Sequence, residues 1–167
     1  MKKSILLFTI VLSTSVFAQD MTNEKLQEIY TSVSDSIQGE TGSWQFHVKD
    51  VTMVSITDIS HNRMRIISPI VEVTSLKEDL LKAVLMANFH TALDVKYAIA
   101  DGILWSIFVH PLKELSEDQV RDALSQVYYA NVNFGSTYAS TSLVFPGSEN
   151  KGGEKKKAEP VFNKRKI

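Results

Sequence analysis

"YAIADGILWSIFVHPLKELSEDQ", residues 97–119, decides the architecture. Two apolar runs flank Asp101-Gly102, a pair suited to a two-residue type I′ hairpin because both central positions take positive φ. With those two as the loop, Ala100 pairs with Ile103, Ile99 with Leu104 and Ala98 with Trp105. One face of the hairpin then carries Val95, Tyr97, Ile99, Leu104 and Phe108. The other sets Ala98 and Ala100 beside Ile103, Trp105, Ile107 and Val109. The second strand is apolar on both faces, so it predicts cover on both sides. "SEDQ" at Ser116–Gln119 is a capping box. The helix it opens has a stripe of Val120, Ala123, Leu124, Val127 and Tyr128 and stops near Gly135.

Upstream, "SWQFHVKD" alternates Trp44, Phe46 and Val48 with polar residues, as a strand with one wet face does. "VTMVSIT" and "RMRIISPIV" read as two further strands. Pro69, which cannot donate to a ladder, places the last of them at an edge or ends it there. Before these, Leu26, Ile29, Tyr30, Val33 and Ile37 recur at helical spacing, with Gly39 as the expected stop. "SLKE" at Ser75–Glu78 has the form of a second capping box. The helix that follows is polar between Leu80 and Leu93 only at Lys82, Asn88, His90 and Thr91. A helix apolar nearly all round is covered on more than one side. Leu81, Leu85, Met86 and Phe89 are therefore expected at the interface of a homodimer.

The predicted class is α+β: helix, three strands, helix, two strands, helix, with an antiparallel sheet packed against helices. That order, with the hydrophobic strand before Asp101-Gly102, the Leu104-Trp105 strand, the "PL.EL" link and the acidic capped last helix, resembles the YbjN-type bacterial family. It also resembles its structural relatives, the class I type III secretion chaperones. The resemblance covers roughly Met21 to Phe134. It implies a dimer that binds extended peptide segments, and the shelf of Ala98, Ala100, Ile103, Trp105 and Ile107 is the expected peptide site.

The chain has 167 residues and 18 basic against 19 acidic side chains, and this balance is uneven along it. Residues 19–147 hold nine basic and sixteen acidic residues, a net charge of −7. Residues 148–167 hold seven basic and three acidic, a net of +4. Residues 1–18 join "MKK" to the apolar run Ile5–Leu12 and end in "VFA", the pattern of an export signal cut between Ala18 and Gln19, with an uncleaved anchor as the alternative. A periplasmic or secreted domain over 19–147, followed by a basic, aperiodic tail over 148–167, is the expected organisation. Lys155, Lys156, Lys157, Lys164, Arg165 and Lys166 of the tail are the expected contacts to an anionic polymer or membrane surface. Docking through that tail, as an envelope structural protein, is the alternative function. Export argues against a nucleic-acid partner.

No cysteine is present, which excludes disulfides and thiolate chemistry. His47, His61, His90 and His110 lack two-ligand metal spacing. Glu78/Asp79 and Glu117/Asp118 sit in first helical turns, where the helix dipole explains them. Neither "GSW" nor "GST" is a nucleophile elbow, and no phosphate-cradling glycine loop occurs. The sequence thus predicts no catalytic residue, metal or cofactor. It points to non-catalytic, chaperone-like binding of a protein or peptide segment.

Overall fold

The computed structural model describes residues 20–141. The export segment with Ala18 and Gln19 and the basic tail lie outside the described residues. The elements run α1 (Asn23–Val33), β1 (Ser36–Glu40), β2 (Ser43–Val48), β3 (Val51–Asp58), β4 (Arg63–Glu72), α2 (Glu78–His90), β5 (Lys96–Ala100), β6 (Ile103–His110) and α3 (Glu117–Val132). Six strands form one antiparallel sheet in the order β1-β2-β3-β4-β6-β5. This is the expected α+β class with one strand more before α2.

The added strand corrects the first element. Helix α1 ends at Val33, and Ser34 closes it with its N–H on the Tyr30 carbonyl at 3.0 Å. Ile37 lies in β1 opposite Phe46 instead of continuing the stripe. Gly39 is not a helix stop but a strand residue with φ +118°, where a Cβ would stand 2.3 Å from the Ser43 carbonyl oxygen.

The hairpin forms as its sequence dictates. Asp101 and Gly102 take φ of 52° and 76°, and the three expected cross-strand pairs are present. Ser116 caps α3 reciprocally with Gln119, while Leu115 and Val120 are both buried. Ser75 caps nothing. It sits in a 3₁₀ turn over Val73–Ser75, its hydroxyl donates to the Glu72 carbonyl, and Lys77 precedes α2 without a side-chain cap bond. Strand β4 is not an edge strand, since it lies between β3 and β6, but its pairing with β3 stops at Ile67, so Pro69 has a ladder partner only in Trp105 of β6, next to a bulge between Pro69 and Val71.

The core lies between one sheet face and α1 and α3. Trp44, Phe46, Val48, Val51, Met53, Met64, Ile66, Leu104 and Phe108 project from the sheet onto Leu26, Tyr30, Val120, Leu124 and Val127. Tyr30 is wholly buried. It stacks on Phe46 at 4.6 Å and meets Trp44 edge-on at 5.6 Å.

Candidate functional site

Helix α2 joins this core only along one narrow stripe. Of its thirteen residues only Val84 and Ala87 are buried. Leu85, Met86 and Phe89 remain 69%, 64% and 75% exposed, and Leu81 is half-buried. Residues 85, 86 and 89 share one helix face, since positions four apart are neighbours. The near-continuous apolar pattern thus resolves into a narrow inward stripe and an outward apolar face. The inward stripe rests along β5, the last strand of the sheet.

The sheet face opposite the core is the second open surface. Strand alternation puts Val54 and Ile56 of β3, Arg65 and Ile67 of β4, and Ile103, Trp105, Ile107 and Val109 of β6 on it. In register, Val54, Ile67 and Ile107 form a row across three strands, and Ile56, Arg65 and Val109 form the next. The expected shelf residues Ala98, Ile103, Trp105 and Ile107 are half-buried, and Ala100 is exposed. The Trp105 indole donates to the Ala100 carbonyl at 3.1 Å, fixing the ring over the hairpin end. The apolar surface extends further than the hairpin alone suggested. Val54, Ile56 and Ile67 belong to it, and "VTMVSIT" carried that signal in its apolar residues at both parities.

The exposed edge of β5 is the third feature. Tyr97 turns its main chain away from β6, and the Asn88 side chain meets it there. The Asn88 amide donates to the Tyr97 carbonyl at 3.0 Å, and its oxygen accepts from the Tyr97 N–H at 2.7 Å. Just before the strand, the Gln126 oxygen accepts from the N–H groups of Asp94 and Val95 at 2.9 and 3.4 Å. The Gln126 amide is held by Asp94 and Asp122 at 3.0 and 2.7 Å. Lys96 reaches the C-terminal end of α2 and donates to the carbonyls of Asn88, Ala92 and Leu93 at 3.0, 3.0 and 2.7 Å. Desolvation lowers the pKa of its ammonium, and Asp94 works against that shift. Sequence reading offered no signal for this arrangement, because Asn88 read simply as one of α2's few polar positions.

Two recesses flank the helices. One, of about 420 Å³, lies between the ends of β5 and β6 and α3, with Asp94, Lys96, His110 and Asp122 in its wall. The other, of about 480 Å³, lies between α1 and α3, where Arg121 pairs with Glu117 at 2.9 Å and donates to Ser32. Both mix opposite charges.

The histidines stay dispersed. His61 bonds Asp58 in a turn at 2.7 Å, His110 stacks on Phe108, and His90 keeps a buried Nδ1 without a partner. Among the described residues no three His, Cys, Asp or Glu side chains stand close enough to hold a metal ion, and no helix is long and apolar enough to cross a membrane.

No protein-family model matches the chain, and no curated protein matches its sequence. Among solved structures it is similar to the HopA1–SchA chaperone–effector complex, at 11% identity and a TM-score of 0.48 over 64% of this chain and 92% of that one. It is also similar to the ExsC–ExsE complex, at 11% identity and a TM-score of 0.48 over 67% of this chain and 95% of that one.

Proposed function

We propose that this chain is an exported, non-catalytic protein of the YbjN and secretion-chaperone kind. In this reading it pairs with a second copy through the outer face of α2 and holds a partner's extended segment on the open face of its sheet. One observation carries the reading: Leu85, Met86 and Phe89, three large apolar side chains within little more than one helical turn, stand in solvent. Full burial of such a side chain contributes about 1.5–3 kcal/mol, so this face gains substantially from a partner. A twofold interface would use the same residues from both copies and double the gain. The open sheet face supports the second half of the reading, since its apolar rows accept alternate side chains of an extended segment.

Site-specific photocrosslinking in the full chain tests this. A photoreactive side chain at Met86 is expected to give a crosslinked homodimer, and one at Trp105 a crosslink to a different protein. The same group at exposed Gln27 of α1 is expected to give neither. Equal crosslinking from Gln27 and Met86 overturns the proposal.

A further inference from the structure

The open sheet face carries one cation that nothing beside it answers. Register sets Arg65 between Ile56 of β3 and Val109 of β6, which stay 41% and 55% exposed. Arg65 is itself exposed, with neither an ion pair nor a side-chain hydrogen bond among the described residues. The same row ends at Glu40 of β1, three strands away and about 14 Å off at the usual strand spacing. Asp58 lies one row along, opposite Arg63, and its carboxylate is taken up by Ser60 and His61. Lys96, at the β5 end of the row on the other side, turns onto the end of α2 and bonds three carbonyls. Arg65 is thus a free positive charge in apolar surroundings, on a body whose net charge over residues 19–147 is −7.

The spacing of the rows sets how a segment fits. Along the strands from Arg65 come Ile67 with Ile107, then Pro69 with Trp105. Rows two residues apart are separated by about 6.6 Å, and so are alternate side chains of any extended chain. A segment aligned with the strands, as packed sheets are to within about 30°, therefore sets one side chain over each row. The first row offers a charge between two apolar walls, and the next two offer apolar surface alone. An uncharged side chain over Arg65 would strip water from the guanidinium without replacing its bonds, whereas a carboxylate accepts two parallel bonds from that fork.

We propose that the segment held on this face carries a carboxylate side chain two residues from one apolar residue and four from another, the carboxylate on Arg65 and the apolar pair on the Ile67 and Trp105 rows. This rests on the segment-binding reading above and adds the chemistry of the segment and its register on the sheet.

Fluorescence anisotropy on the full chain tests that register. The probes are end-capped peptides with a neutral dye, Thr-Asp-Thr-Val-Thr-Val-Thr and its reverse, which cover both chain directions and hold a single carboxylate each. At least one order should bind the wild-type chain about fivefold more tightly than its Asn counterpart, the upper range for an exposed ion pair. Arg65→Gln should erase that preference, and Arg65→Glu should favour a Lys peptide instead. Both variants keep the fold, because the replaced side chain is exposed and unpaired among the described residues. Equal binding of Asp and Asn peptides by the wild-type chain, or a preference for Asp that survives Arg65→Gln, overturns the carboxylate and leaves segment binding standing. Binding of no peptide to any of the three proteins overturns both.

Discussion

Tyr30 and Ser55 join hydroxyl to hydroxyl at 2.8 Å in the middle of the core, linking α1 to β3 across 25 residues. Burial pushes the Tyr30 phenol well above its ordinary range, and the Ser55 bond opposes part of that shift. Tyr30→Phe leaves the Ser55 hydroxyl buried without a partner, at a cost of about 1–3 kcal/mol. Adding Ser55→Ala removes the stranded group and should restore part of the loss. Urea unfolding of both variants measures the difference.

Gly39 and Gly102 both take positive φ, and their substitutions should differ. An alanine at 39 adds backbone strain to a Cβ contact of 2.3 Å with Ser43, whereas at 102 nothing lies within 4 Å. Gly102→Ala should cost about 1 kcal/mol for the left-handed conformation alone. Gly39→Ala should cost more and loosen β1 from β2. Thermal unfolding ranks the two, and faster amide exchange in β1 locates the damage.

Asp58 accepts three hydrogen bonds within its turn, from the Ser60 hydroxyl at 2.6 Å, the His61 N–H at 3.0 Å and the His61 ring at 2.7 Å. The Ser60 bond is the largest cause holding its carboxyl far below the usual range, followed by the two from His61. A depressed folded-state pKa stabilises the fold above the unfolded value of about 3.9, and that contribution is lost as pH falls through the folded value. A carboxyl-carbon NMR titration should find Asp58 still ionised well below the ordinary aspartate range. Ser60→Ala should raise its midpoint.

Trp105 and Trp44 separate the open face from the core. Trp44 is 2% exposed, while Trp105 is half-buried on the uncovered sheet face. In a Trp44→Phe variant the remaining indole reports that face alone. A bound segment should shift its emission to the blue, and Ile67→Asp, one strand away, should abolish the shift. A response unchanged by Ile67→Asp would place the segment elsewhere.

What the sequence made legible was local. The hairpin followed from two residues with positive φ, the start of α3 from a reciprocal cap, and β2 from strict alternation. Strand β1 escaped because "SIQGE" has no alternating pattern and Ile37 continues the α1 spacing. It is a strand because β2 offers it a ladder. Pro69 misled in part: β4 is a central strand, yet its ladder with β3 stops at Ile67, so the proline sits where only β6 pairs with it. The outer face of α2 was legible as excess apolar character, but its partition into buried Val84 and Ala87 and exposed Leu85, Met86 and Phe89 depends on where the helix lies on β5. The Asn88–Tyr97 contact depends on that same placement, which no spacing encodes.

Sedimentation equilibrium of the full chain at micromolar concentration tests the role of α2 most directly. Pairing through Leu85, Met86 and Phe89 requires twice the subunit mass for the wild-type protein and a single subunit for a folded Phe89→Asp variant. A wild-type mass of one subunit, unchanged by that substitution, would contradict the pairing.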